Sequence, residues 1–423
     1  MNEQQETRIR PADILKSPRA LILLIAGIAS AALVLLVAGS PAHYIYDEPY
    51  YIQGAWLLRK GASFREMLLA PLHTPAGPLY PAMHWLLAPL TGLHAPAFRW
   101  PNLALLAAGS AALVYTMRCR RLADPWARTA MLLAVPIFWP STGIALTEMP
   151  AFAFVCFAVA ATAWAMTAAP ESSARSWGGF TLAGLCFGIA ILGRQPYLPA
   201  AGGFVLIALF EPRFRWPAAL AAILACAVPL PVFLLWHGLV APQVANVGGI
   251  SLQHGALAFA YISVIVMILA PRYFVTRWQW SLGIGLLVGL AGLLFGGMPA
   301  TVAPGVAGHL PAVLARLFQA GVSVILVGGG AAFIISSAIN MLDRREDRFF
   351  VLMVVLTLGM TCTAASIVHI FSSRYVMAAF PFALLAVQPY FIPSRCAALR
   401  FAFGAAAGYL SLAHYFSYAV PTG

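Results

Sequence analysis

The chain has 423 residues, 61% of them hydrophobic and only 9% charged, with a mean hydropathy of +0.85 and a net charge of +12. Soluble domains run closer to half apolar and a quarter charged, so this composition excludes a soluble globule and marks a polytopic membrane protein. The surplus Lys and Arg fall in short clusters between apolar runs rather than along one aromatic-laced face, which argues against nucleic acid as a partner and reads as membrane-orientation charge.

In chain order, the tail 1–19 carries Arg8, Arg10, Lys16 and Arg19 and is expected in the cytoplasm. The apolar run from Ala20 to Pro41 is too long for a signal-peptide core, lacks a clear small-residue cleavage site, and reads as a retained first helix. Residues 40–98 form one long outer loop with amphipathic and re-entrant helices. Within it, "GPLYPAMHWLLAPLTGL" (77–93) is apolar but short, holds three prolines and His84, and would invert every later loop if it crossed. Spans near 20–39, 99–117, 126–146, 149–168, 177–193, 197–210, 216–237, 255–271, 278–297, 311–339, 349–370, 375–392 and 400–416 then alternate with basic loops at 118–121, Arg175, 212–215, Arg272 with Arg277, 343–348 and 394–400. The expected fold is an all-α polytopic membrane protein: a single transmembrane domain of about thirteen helices, 99–423 supplying those after the loop, with no separate soluble domain. Of the six cysteines, Cys119 and Cys396 fall in inner loops and the rest inside spans, so no disulfide is expected.

This topology sorts the charges. Only Asp47, Glu48, Glu66 and Glu148 of the thirteen acidic residues fall on the outer side, and Arg194, Arg316 and Arg374 stand at outer ends of spans in otherwise apolar sequence. Ionisable groups at membrane depth are costly and read by default as functional, with a partner. A carboxylate at a membrane surface can serve as general base on an acceptor hydroxyl, while guanidinium groups hold a phosphate bidentately. No Gly-rich phosphate loop is present, so the leaving group suggested is a lipid phosphate rather than a nucleotide.

Blander roles compete for each residue. Asp47 can cap a helix starting at Pro49, Glu148 can favour a helix start, each arginine can snorkel to headgroups, and Tyr44, Tyr46, Tyr50 and Tyr51 can form an interfacial belt as readily as stack on a sugar. Asp47, Glu48, Glu148 and His73 are donors suited to a divalent cation, and spacing does not decide whether one is held. A secondary transporter or a lipid-linked-sugar flippase is the alternative class. Transporter sites lie near the bilayer midplane at a repeat interface, whereas these charges group at one face and no internal repeat is visible.

"YIYDEPYYIQGAWLLRKG" (44–61) resembles the first-loop motif of the polyprenyl-phosphate-sugar-dependent glycosyltransferases of the GT-C fold, the superfamily of protein O-mannosyltransferases and lipid A aminoarabinose transferases. "LHTPAGPLYPAMHWLLAPLTG" (72–92), "FRWPNLALLAAG" (98–109), "STGIALTEMPAFAF" (141–154) and "SSRYVMAAFPFALL" (372–385) are similar to later segments of that family, in order. The register around His73 departs from the family's Pro-Pro pattern, and the second acidic residue is Glu rather than the commoner Asp.

The resemblance implies a GT-C bundle and an inverting transfer from a polyprenyl-phosphate sugar to a glycan, lipid or protein hydroxyl. The expected setting is a bacterial inner membrane, with the site on its periplasmic or outer face. It places Asp47 as general base with Glu48 beside it, Glu148 at the second acidic position, and Arg374 with Tyr375 on the donor phosphate. Arg194 and Arg316 are further candidates for the phosphate; His73, His369, Tyr46 and Tyr50 are candidates for substrate or metal contact.

Overall fold

A computed structural model describes residues 17–72, 74, 76–167, 173–242, 249–294, 307–367 and 371–417. Within these residues every regular element is helical, and nine helices are long and apolar enough to cross a bilayer, with two shorter apolar helices at Gln195–Phe210 and Trp278–Leu294. The chain is an integral membrane protein.

The first helix, Pro18–Ala38, begins at an N-cap Ser17 followed by Pro at the first helical position, the arrangement that relieves orphan N–H groups. It lies at the periphery, with 28% of its apolar window buried in protein, whereas Glu148–Met166 at the centre has 78% buried. That central helix packs between Trp100–Cys119 and Ser173–Gly193. A second pair, Trp278–Leu294 and Ala312–Asp343, crosses at glycines so close that a Cβ on Gly328 would stand 2.6 Å from the carbonyl oxygen of Gly285. Small residues at membrane-helix crossings permit this approach.

Two apolar runs that read as single spans are broken. The run expected over 126–146 consists of Pro125–Ala130, Met131–Ala134 and Phe138–Gly143, because Pro136 and Pro140 cannot donate to a helical ladder and force Val135 extended. The run expected over 375–392 divides likewise at Pro381 and Pro389 into Ser373–Ala379, Phe380–Val387 and Gln388–Tyr390. Broken backbone is tolerated at membrane depth only when enclosed. The 131–150 stretch is nearly all buried, and Asn102 Nδ2 donates to the carbonyls of Ile144 (2.9 Å) and Leu146 (3.3 Å).

Charged pairs gather at the two ends of the bundle. At one end Arg19 meets Asp124 (2.5 Å), Arg120 meets Asp347 (2.6 Å) and Arg277 meets Asp343 (3.5 Å), joining loops that the basic clusters mark. At the other end lies the 40–98 segment, built from short helices: Glu48–Arg59, Phe64–Leu69, Leu79–Leu86 and Ala88–Thr91. The eight-residue and four-residue pieces at 79–91 are too short to span a bilayer. Gly77 anchors this segment to the bundle: its N–H donates to the Gly193 carbonyl (3.3 Å), and a Cβ there would fall 1.8 Å from the Leu192 carbonyl oxygen. The contact brings the loop against Arg194.

Candidate active site

Asp47 and Glu48 are neighbours, yet the helix start at Glu48–Arg59 sends their side chains into different surroundings. Glu48 is fully buried. It makes a bidentate pair with Arg99, Nε to Oε1 and Nη2 to Oε2 both at 2.7 Å, and accepts the N–H groups of Ile45 and Ala145 at 2.9 Å each. Arg99 directs its remaining donors to Ser40 Oγ (2.7 Å), the Pro41 carbonyl (2.8 Å) and the His43 carbonyl (2.9 Å), so all five guanidinium N–H groups are used. The clasp ties together the end of the first helix, the turn before Asp47 and the 144–148 turn. Glu48 therefore does not share the exposure expected of a partner to the base.

His84 packs beside this region, against Tyr80 and Phe98 at ring-centroid separations of 4.3 and 5.9 Å. Burial pushes its imidazole down to about 3, so it stays neutral.

Asp47 heads the other cluster, with its side chain 27% exposed. It occupies the N-cap position but makes no capping hydrogen bond. Its Oδ2 instead accepts from Arg374 Nη1 at 2.8 Å and from the Tyr51 hydroxyl at 3.3 Å. Tyr51 reaches it because residues four apart share one helix face. The preceding Tyr46 adopts φ +52°, a left-handed conformation that costs a non-glycine residue about 1 kcal/mol. Its ring faces the Arg374 guanidinium at 5.7 Å, and Tyr375 does the same at 5.7 Å.

Glu148 opens the central helix beside Arg374 and Arg194. Its Oε1 lies 3.3 Å from Arg194 Nη2 and 3.8 Å from Arg374 Nε, while Arg194 Nη1 also donates to Thr147 Oγ1 at 3.4 Å. Neither carboxylate oxygen of Glu148 and not the Nε of Arg374 has a hydrogen-bond partner among the described residues, although all three atoms are buried. Burial acts to lower the Arg374 affinity for its proton, but Glu148, Tyr51 and Asp47 outweigh it and hold the guanidinium above its ordinary value. Burial pushes the Tyr51 hydroxyl well above its usual range, so it remains a donor to Asp47.

Two clefts flank this cluster. One, of about 380 Å³, is lined by Glu148, Arg194, Tyr197, Arg374 and Tyr375 among others. The second, of about 420 Å³, is mainly apolar and includes Tyr51, Met67, Pro81, Thr147 and Trp236. Thr147 faces one cleft and its neighbour Glu148 the other. Asp47 is bonded to a residue of each wall, Arg374 and Tyr51.

Of the residues singled out in the sequence, the structure brings together Asp47, Glu148, Arg194, Arg374, Tyr375 and Tyr46. Arg316 is exposed in the opening turns of Ala312–Asp343, and no hydrogen bond or ion pair joins it to the cluster among the described residues. Tyr50 is 48% exposed and shares none of these contacts. His73 and His369 lie outside the described residues. Among the described residues no group of three His, Cys, Asp or Glu side chains converges as a metal site; Asp47 and Glu148 face arginines instead. Sequence reasoning did not anticipate the Tyr51 bond to Asp47, legible only as i,i+4 spacing, or the place of Tyr197, three residues after Arg194.

No family model and no curated protein matches the chain. Among solved structures it is similar to the protein O-mannosyltransferase Pmt1-Pmt2 complex of S. cerevisiae bound to the sugar donor, with 13% identity, 56% of this chain and 36% of that chain covered, and a TM-score of 0.41. It thus spans about a third of that relative's length. It is also similar to ArnT from Cupriavidus metallidurans bound to undecaprenyl phosphate (16% identity, 93% and 77% covered, TM-score 0.42) and in the apo state (14% identity, 88% and 77% covered, TM-score 0.39).

Proposed function

We propose that the chain is a membrane glycosyltransferase of the GT-C type that moves a sugar from a polyprenyl-phosphate donor to an acceptor hydroxyl on the outer face of the membrane, with inversion. The observation that carries this reading is the placement of Asp47, a partly exposed carboxylate between two clefts, within hydrogen-bonding distance of Arg374.

In the proposed reaction the acceptor oxygen attacks the anomeric carbon and its proton passes to Asp47. The bond from that carbon to the phosphate oxygen breaks, and polyprenyl phosphate leaves with the electron pair. Arg374 and Arg194 neutralise the charge that develops on the phosphate, a role suited to permanently cationic, multidentate groups. Tyr51 donates to the same Asp47 oxygen as Arg374 and helps to hold the carboxylate in place. Glu48 and Arg99 act indirectly, by fixing the turn from which Asp47 projects. The acceptor is expected to be a hydroxyl of a glycan, a lipid or a protein.

The test is a comparison of cell-envelope glycans by mass spectrometry in cells carrying the parent protein, Asp47→Asn, or neither. A sugar modification that depends on the parent and vanishes with Asp47→Asn supports the reading. Identical glycans in all three overturn it.

A further inference from the structure

Asp47 lies between the two clefts without lining either, and the clefts share no lining residue. What joins their walls is a bridge through a single oxygen. Asp47 Oδ2 accepts from Arg374 Nη1, on the charged side, at 2.8 Å and from the Tyr51 hydroxyl, on the apolar side, at 3.3 Å. A carboxylate oxygen has about two lone-pair sites, so both on Oδ2 are taken. Transfer requires an acceptor oxygen, an anomeric carbon and the base in one space, and with this bridge closed the two clefts are separate.

The bridge is built to open on the Arg374 side. Arg99 grips Glu48 with two nitrogens, whereas Arg374 gives Asp47 only one. The Arg374 Nε stands 3.8 Å from Glu148 Oε1, beyond hydrogen-bonding distance, and the Tyr46 and Tyr375 rings lie 5.7 Å from the guanidinium carbon. Arg374 is carried by the 3-10 segment Ser373–Ala379, entered from an extended Ser372, and short segments of that kind are less firmly hydrogen-bonded than an α-helix. A phosphodiester presents two unesterified oxygens that match the guanidinium fork, and Arg194 offers a second guanidinium in the same cleft. Phosphate in the charged cleft therefore competes with Asp47 for Arg374, with two bonds against one.

We infer that the Arg374–Asp47 bond is an autoinhibitory latch opened by the donor phosphate, so that binding is ordered, donor first and acceptor second. The inference rests on the glycosyltransferase reading and adds regulation to it. Before the donor arrives, Arg374 occupies Asp47 and the base is out of use. The arriving phosphate draws Arg374 away, which frees Oδ2 for the acceptor hydroxyl and joins the clefts at the point where the sugar sits. The lipid phosphate released by transfer keeps Arg374 until it departs, and the latch then closes again. Because that product carries the same group, bare undecaprenyl phosphate opens the latch too.

The test follows the reactivity of Asp47 in the full chain in lipid nanodiscs. A water-soluble carbodiimide with glycine ethyl ester modifies carboxyl groups that are free of a guanidinium partner faster than those bonded to one, and peptide mass spectrometry reads the rate at each site. Saturating undecaprenyl phosphate should raise the rate at Asp47 by about tenfold or more, the scale of losing one hydrogen bond to a charged group, and leave Asp343 at the other end of the bundle unchanged. In Arg374→Ala, with its fold checked by the thermal midpoint, Asp47 should react fast without lipid and gain nothing when lipid is added. The comparison of the parent with and without lipid needs no variant. Binding of undecaprenyl phosphate, measured separately by native mass spectrometry, with an unchanged or lowered rate at Asp47 would overturn the latch and leave the lipid-phosphate site standing. Slow reaction of Asp47 in folded Arg374→Ala would overturn it as well. Failure of the parent to bind undecaprenyl phosphate would remove the glycosyltransferase reading and this inference together.

Discussion

Two sets of acidic and arginine side chains lie at the same end of this bundle, and they are built on opposite terms. Glu48 and Arg99 are sealed from solvent and satisfy one another and five backbone or hydroxyl groups beyond the pair itself. Asp47, Glu148, Arg194 and Arg374 are arranged at a cleft with spare hydrogen-bonding capacity. The contrast separates an ion pair that completes its own hydrogen bonds from one that leaves them incomplete, and charge alone does not distinguish them. A buried pair that completes its own hydrogen bonds has nothing left to offer a substrate. A pair that leaves them incomplete bears a desolvation cost that a ligand can relieve.

The largest effect is expected on the sealed side. Arg99→Ala leaves Glu48 as an uncompensated buried carboxylate and should destabilise the protein by about 3–5 kcal/mol, seen as loss of monodisperse protein and a lowered thermal midpoint. Normal stability of that variant would erase the distinction between the two clusters. On the open side, Asp47→Asn should reduce transfer by about 100-fold or more with the thermal midpoint nearly unchanged, because general-base catalysis is typically worth that much. Retention of more than about a tenth of the activity would refute the base assignment.

Smaller effects sharpen the comparison. Arg374→Lys keeps the charge but loses the planar fork, and should weaken use of the lipid-linked donor by about tenfold with little change in the acceptor KM at saturating donor. Arg316→Lys, on an exposed helical turn, should behave like the parent with both substrates; donor kinetics for the two variants decide the point. Tyr51→Phe removes one hydrogen bond to Asp47, worth about 0.5–1.5 kcal/mol, and should slow transfer by about two- to twelvefold.

The sealed side also has a pH signature. His84 is held neutral down to about 3, below the ordinary imidazole value, so the unfolded chain binds its proton first. The stability this contributes is present above about pH 6.5 and is lost as pH falls from there toward 3, at up to about 1.4 kcal/mol per pH unit. His84→Phe should flatten the fall of the thermal midpoint between pH 6.5 and 4. An unaltered slope in that variant would assign the acid sensitivity elsewhere.

The amino-acid sequence by itself determined the membrane class, the helical content and the approximate positions of most long helices, since these follow from unbroken apolar runs and from backbone groups that must bond internally in lipid. It also marked Asp47, Glu148, Arg194 and Arg374, because a charge in an apolar setting is conspicuous one residue at a time. The same signal marked Arg316, which tertiary structure leaves outside the cluster, and it could not rank Asp47 against Glu48. Only the tertiary structure decided those points. Asp47 and Arg374 are 327 positions apart, and no local pattern encodes which distant guanidinium meets which carboxylate. Adjacent residues on a helix start diverge by about 100°, so one turn of backbone sent Glu48 into the protein and Asp47 to the cleft.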